Sequence, residues 1–495
     1  MSSVLRILMV FVLIQGGSAK IVSYCDARNL LDVAREGLTL NPTGGPFALT
    51  TFVGTVDPSG KFIDTSQAGV ALAPVLSAAI SQAVTQQSPL ASVAPAFTYR
   101  YNPALNVHER SSTVPGPLFS ERALTLGQGQ LNFGIGYSYI DLDRLNGSDL
   151  HGLRSPLLLE ISCPGKPLTD PFCNPDINGL GRVFIGAIGL SSVRTRLDVQ
   201  SHLVVPTVRY GLTDNWDIGI SIPIVNTFLR VRNELVRVAQ TTDAVFLLVP
   251  PNNFGLRSGL VDANLNPVES ATSDKVRYFA VNLPRQTLTK VAGSATGVGD
   301  IILRTKYHLW QVDEGGAALG LQLRLPSGDK KNFQGNGATH VTPFLYLSQI
   351  YWDLFEPHLN LGMDFDTEDV KRSAFLYSVG ATVAVGQKLG LALDVIGRSE
   401  LGRFQLGAGT ALQGLFVGSK MVKCADGTDV CRLVSAVSTF RFPTKIKRND
   451  ITDISFGLRY ALGTSGSVFF GAILPLNDDG FRADFIPSGG VEYTF

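Results

Sequence analysis

The chain closes on Gly489-Gly490-Val491-Glu492-Tyr493-Thr494-Phe495, an alternation of apolar and polar residues that stops on an aromatic ring. That is a β-strand, and a strand placed last constrains the fold more than any other feature here. A terminal strand leaves unpaired N–H and C=O groups on one side unless another strand covers it. In a closed barrel the last strand pairs with the first and no edge remains, which is also what a hydrocarbon environment demands. A strand of a soluble sandwich would give the same local pattern. The other end of the chain decides between them.

The N-terminus reads as a secretory signal. Arg6 supplies the positive charge, Ile7 to Ile14 forms a short apolar run, and Gly17-Ser18-Ala19 offers small residues before a cut ahead of Lys20. The run is too short to span a bilayer, which needs about 20 residues. Cys25 is preceded by Tyr24 rather than a small residue, so a lipid-anchored Cys is not expected, and no other role is assigned to it. An exported chain with a barrel-type last strand points to an outer membrane.

Composition agrees. With 17% charged residues and a net charge of +1, there is no basic excess for nucleic acid. Length alone would allow about three domains, yet no linker divides residues 93–495. After the signal no apolar stretch reaches about 18 residues, so helical spans are not expected. Cys163 with Cys173, and Cys424 with Cys431, each close a short loop and are candidate disulfides for an oxidising compartment.

Period-two alternation recurs along the chain. Leu131 to Tyr139, Trp216 to Ile224, Ile301 to Leu309, Leu319 to Leu325, Leu359 to Phe365 and Ile454 to Tyr460 each set a greasy face against a small, polar or charged one. Aromatics sit near the ends of these runs, where interfacial girdles belong: Tyr137, Tyr139, Tyr210, Trp216, Tyr307, Trp310, Tyr351, Trp352 and Tyr460. Tight polar turns such as Gly211-Leu212-Thr213-Asp214-Asn215 and Gly463-Thr464-Ser465-Gly466 read as periplasmic. Residues 146–192, 232–274, 326–338 and 415–449 read as extracellular loops. The expectation is an all-β transmembrane antiparallel barrel over residues 93–495, with roughly 12 to 16 strands and about 14 as the central figure. Residues 20–92 read as a partly helical plug, periplasmic cap or lead, with one helix over 66–86. A barrel this wide is not filled by its wall side chains, so a channel or a plug is expected.

Several motifs in order resemble the outer-membrane transporter family named for the meta-cleavage pathway of phenol degradation. They are Glu121-Arg122-Ala123-Leu124-Thr125-Leu126-Gly127, Tyr210-Gly211-Leu212-Thr213-Asp214-Asn215-Trp216-Asp217, Thr296-Gly297-Val298-Gly299-Asp300-Ile301, Arg324-Leu325-Pro326-Ser327-Gly328-Asp329 and Leu474 to Asp484. The resemblance covers residues 90–495. It extends more distantly to the long-chain fatty-acid channels, which pair a barrel with an N-terminal plug. The C-terminus resembles that of Gram-negative outer-membrane barrels, which makes Tyr493 and Phe495 the assembly signal. The resemblance implies passive passage of small hydrophobic or aromatic molecules, and fold analogy of this kind is an associational warrant.

No constellation points to catalysis. Six His are present and none stands with a paired Ser. Gly297-Val298-Gly299 lacks the Lys and Ser/Thr of a phosphate loop. What does stand out is a charged inner face: Arg304, Lys306 and His308 on one strand, and Arg324, Asp364, Asp394 and Arg459 on others. On the lipid face a Lys or Arg costs about 2–4 kcal/mol, so these residues are assigned to the lumen. They form either a selectivity lining or a salt-bridged wall that stiffens the barrel. The expected function is an outer-membrane channel. A structural or adhesive barrel acting through its loops is the alternative, and a barrel hydrolase the third. No enzyme, cofactor, metal or nucleic-acid partner is expected. The expected partners are outer-membrane lipid, the barrel-assembly machinery and a small-molecule substrate, for a monomer.

Overall fold

A computed structural model describes residues 29–38, 51–56, 62–64, 80–84, 95–102, 107–110, 112, 114–145, 147–161, 184–186, 188–240, 245–248, 256–259, 279–281, 286–312, 314–402, 419–422, 431–434 and 450–495. Residues 1–19, Cys25, Cys163, Cys173 and Cys424 lie outside this set, and only the backbone of Cys431 is within it, so the signal and disulfide readings fall outside the described residues.

Among the described residues twelve antiparallel strands close into a barrel. They are β1 (Leu131–Leu142, continued by Leu153–Ile161), β2 (Ile188–Thr213), β3 (Trp216–Ser221 and Ile224–Gln240) and β4 (Gln286–Val298 and Ile301–Val312). There follow β5 (Gly315–Leu325), β6 (His340–Gln349), β7 (Phe355–Asp366) and β8 (Ala374–Val385). The last four are β9 (Leu389–Glu400), β10 (Ile451–Leu462), β11 (Gly466–Pro475) and β12 (Ile486–Thr494). The terminal strand does what its sequence requires. β12 pairs with β11 on one side and with β1 on the other, Val491 opposite Ile135 and Thr494 opposite Asn132. The Phe495 N–H donates to the Leu131 carbonyl at 2.8 Å and completes the seam.

Twelve is the low end of the expected range and two below its central figure. β3 and β4 each carry one interruption and remain single strands. The peptide around Pro223 cannot donate to the ladder, and β4 is broken opposite it at Gly299-Asp300, yet both halves keep the same neighbour. The described residues of 95–126 contribute no wall strand, while Thr51–Val56 joins the same sheet by pairing with Leu153–Ile161.

The alternation holds where it was expected. On β1, Leu131, Phe133 and Tyr137 face outward, while Asn132, Gly134, Gly136 and Ser138 are buried. Trp216, Tyr307, Trp310, Tyr351, Trp352, Tyr460 and Tyr493 are exposed at the short-turn end. Beyond Tyr139 the pattern inverts. Ile140 and Leu142 of β1, Leu197 and Val199 of β2, and Leu229 and Val231 of β3 point inward, while Arg196, Arg230 and Arg232 point out. Strands of 10–12 residues, tilted, cover about 25–30 Å of hydrocarbon. The longer β2, β3 and β4 therefore emerge into water, where an ordinary apolar interior is the stable arrangement.

That upper interior is filled by residues N-terminal to the barrel. Helix α1 (Leu30–Leu38) turns Leu30, Val33, Ala34 and Gly37 to one side, the i, i+3, i+4, i+7 spacing of an amphipathic helix. Asn29 Oδ1 accepts from the Asp32 N–H at 2.9 Å and caps its start. The helix lies against β3 and β4 so closely that a Cβ on Gly37 would stand 2.5 Å from Val231, and one on Gly293 2.9 Å from Val33. Of the helix expected over 66–86, residues 80–84 are described; they are helical, with Ile80 and Val84 buried in the same core.

Candidate functional site: a lumen threaded by the chain

Below that core, residues 95–126 run through the barrel. Their partners lie on nearly every side of the wall, which is possible only from within. The Ala96 N–H donates to Glu492 of β12 at 2.7 Å. Leu118 packs against Gly457 of β10 and Gly471 of β11. Ser120 Oγ donates to Asp394 of β9 at 2.8 Å. The Arg122 guanidinium pairs with Glu356 of β7 at 2.6 Å, both side chains fully buried. The Ala123 N–H donates to Ser348 of β6 at 2.9 Å, and the Leu126 N–H to both carboxylate oxygens of Asp217 of β3, at 2.9 and 3.0 Å.

Glu121 is the centre of this arrangement. Its carboxylate meets Arg304 Nη1 at 2.6 Å, Arg209 Nη2 at 2.7 Å and Lys306 Nζ at 3.3 Å. Burial opposes its ionisation, but Arg209, Lys306 and Arg304 outweigh that and hold the carboxyl well below the usual carboxylate range. Lys306 goes further and donates to the backbone carbonyls of Leu124, at 2.7 Å, and Arg122, at 3.2 Å. A strand's inner-face lysine thus holds the plug by its main chain as well as by its charge.

The seven inner-face residues read from the sequence are placed as follows. Arg304 and Lys306 bind Glu121. His308, next inward on β4, is buried. Asp394 holds Ser120 and is hydrogen-bonded to His358 Nε2. Arg459 pairs with Glu492 at 3.1 Å, on the oxygen that also receives the Ala96 N–H. Asp364 accepts from Thr342 Oγ1 at 3.0 Å and Arg398 Nη1 at 2.8 Å, and lies 3.0 Å from His340 Nδ1. Arg324 lines a cavity. Three of the seven, Arg304, Lys306 and Asp394, thus bind the lumenal segment directly, and Arg459 reaches it through Glu492. Sequence reading missed Glu121, Arg122, Arg209, Asp217, Glu356 and Glu492. Glu121-Arg122 was available as a charged pair in a stretch without strand alternation, which is the mark of a segment packed against a polar wall.

Between the plug and β4–β10 a cavity of about 190 Å³ remains. Phe119, Phe344, Tyr346, Leu376 and Ile396 give it apolar walls, and Arg324, Arg398, Thr342, Asn360 and Ser378 polar ones.

Several solved outer-membrane barrels are similar to the chain, three of them as follows. An outer membrane channel from Pseudomonas putida F1 shares 11% identity with a TM-score of 0.37, over 75% of this chain and 98% of that one. The TodX monoaromatic hydrocarbon channel, as a deltaS2 mutant, shares 11% identity with a TM-score of 0.30, over 80% and 94%. A Pseudomonas aeruginosa FadL homologue shares 9% identity with a TM-score of 0.25, over 74% and 89%. No curated protein sequence matches the chain. Two of the sequence motifs meet in space: the Asp300 carboxylate accepts from the Gly328 N–H at 3.1 Å, and Ser327 Oγ donates to the Gly299 carbonyl at 2.8 Å. Both motifs lie within residues 252–414, about a third of the chain, which match the family described as "Putative MetA-pathway of phenol degradation".

Proposed function

We propose that this barrel is an outer-membrane channel of a Gram-negative bacterium for passive passage of small hydrophobic or aromatic molecules, gated by its own N-terminal segment. The observation that carries the reading is the lumen. Its wall side chains do not fill it, and the space is taken instead by residues 95–126 and, above them, by α1 and residues 80–84, held by polar contacts and apolar packing. A stiffening role alone would be met by wall-to-wall ion pairs, such as Arg398–Asp364. A separate segment closing a polar bore is the arrangement of a gate. The outward apolar band supports residence in a membrane, and the description of the matched family supports aromatic cargo. The inner-face charges act in this reading as the gate's seat and, once it opens, as the pore lining. Tyr493 and Phe495, exposed at the seam with ring centroids 4.7 Å apart, serve as the signal to the assembly machinery.

The test is single-channel conductance of the chain refolded into a planar bilayer, with and without residues 20–126. Conductance that appears or grows on truncation supports the gate. Silence in both forms, from protein shown to be folded by its heat-modifiable mobility, sinks the channel reading.

A further inference from the structure

We infer that the lumenal cavity is a binding site for a small aromatic monocarboxylate, with Arg324 as its anchor. This rests on the channel reading only for its physiological sense; the site itself is argued from the cavity.

Each carboxylate lining the cavity is already committed. Glu121 serves Arg209, Arg304 and Lys306. Asp364 serves Thr342 and Arg398, beside His340. Asp453 pairs with Arg482. The lining cations Arg304 and Arg398 are the partners of two of these. Arg324 is different: Asp364 and Asp300 act on its charge only from a distance, among the described residues no carboxylate lies within 4.0 Å of it, and its Nη1 is buried without a hydrogen-bond partner. Leaving a buried charged donor unmet is costly, more so than for a neutral one. A guanidinium offers a planar fork suited to one carboxylate.

The remainder of the site fits a ring. Phe344 and Tyr346 stack with centroids 5.4 Å apart on one side, and Phe119, Leu376 and Ile396 close the others. The volume, about 190 Å³, exceeds the roughly 150 Å³ of an apolar cavity that accommodates benzene, and so leaves room for one carboxylate on the ring. An inorganic anion would leave the aromatic wall unused, and a neutral hydrocarbon would leave Arg324 unmet.

The experiment is calorimetric titration of the full-length, detergent-solubilised barrel with benzoate, with benzyl alcohol as the neutral ring and acetate as the ringless carboxylate. The expected result is that benzoate binds at least about tenfold more tightly than either. Arg324→Gln should weaken benzoate by roughly ten- to a hundredfold, the range of a charge-assisted contact, and leave benzyl alcohol unmoved. Arg324→Lys, which keeps the charge, should fall between. Heat-modifiable mobility checks that each variant is folded. Equal benzoate affinity in wild type and Arg324→Gln, acetate as tight as benzoate, or no benzoate binding by the wild type would each overturn the proposal. Benzoate binding by a barrel that neither conducts nor passes benzoate into liposomes, even with residues 20–126 removed, would retire the channel reading and leave the site standing. A conducting barrel that does not bind benzoate would retire the site alone.

Discussion

Replacing Glu121 with Gln removes the charge on which the lumenal segment is seated. In the wild type one carboxylate faces Arg304, Arg209 and Lys306 at 2.6, 2.7 and 3.3 Å, with Asp217 as the other nearby anion. Three cations against two anions become three against one. The Glu121 side chain is only 11% exposed, so solvent screens little of the loss. Removing one partner of a buried ion pair costs about 3–5 kcal/mol, because the charge left behind has no compensation. At about 1.4 kcal/mol per factor of ten, the 3–5 kcal/mol should raise the opening equilibrium of the segment by roughly two to three and a half orders of magnitude. The wall keeps its strand ladder, so far-ultraviolet circular dichroism and heat-modifiable mobility should not change. Amide hydrogen exchange read over residues 114–126 should accelerate accordingly, and open probability in a planar bilayer should rise. Exchange and conductance equal to the wild type would refute the idea that this carboxylate seats the gate.

Other outcomes follow from the same geometry. Arg122→Ala, which strands the fully buried Glu356, should cost about 3–5 kcal/mol in denaturant unfolding, and Arg122→Met with Glu356→Leu should recover most of it. Gly211→Ala should slow refolding and lower the temperature of the heat-modifiable transition, because its Cβ would stand 1.8 Å from the Gly127 carbonyl oxygen; overpacking of this kind costs about 1–3 kcal/mol. The pH response has a definite sign. A carboxyl whose folded pKa is depressed adds stability that is present above the unfolded value and is lost only as pH falls through the folded one. Protection of residues 114–126 by Glu121 should therefore be flat from pH 8 to about pH 5 and decline only below the ordinary carboxylate range, as read by hydrogen exchange across a pH series.

The period-two rule settled the wall without any structure. Leu131, Phe133 and Tyr137 against Asn132, Gly134 and Ser138 can satisfy lipid on one side and a polar bore on the other in only one register, since a slip of one residue exchanges the faces. The final strand likewise required a partner and found it in β1. The charged residues were assignable to the lumen because the lipid face would have cost about 2–4 kcal/mol for each Arg or Lys among them.

Tertiary structure alone decided what those charges do. Arg304 and Lys306 of β4, Arg209 of β2 and Glu121 of the plug are up to 185 positions apart, and no local rule relates them. The strand count also escaped local reading, because alternation marks a stretch as strand without saying whether it joins the wall. α1 carried a legible amphipathic spacing, but its apolar face could equally have met lipid, a partner or a core; only the closed wall fixed which. The sequence by itself determined a barrel, its lipid face and its closing strand, since those follow from the solvent on each side of a strand. Which residues occupy the bore follows from long-range pairing of buried charges, which depends on where closure of the barrel brings distant strands together.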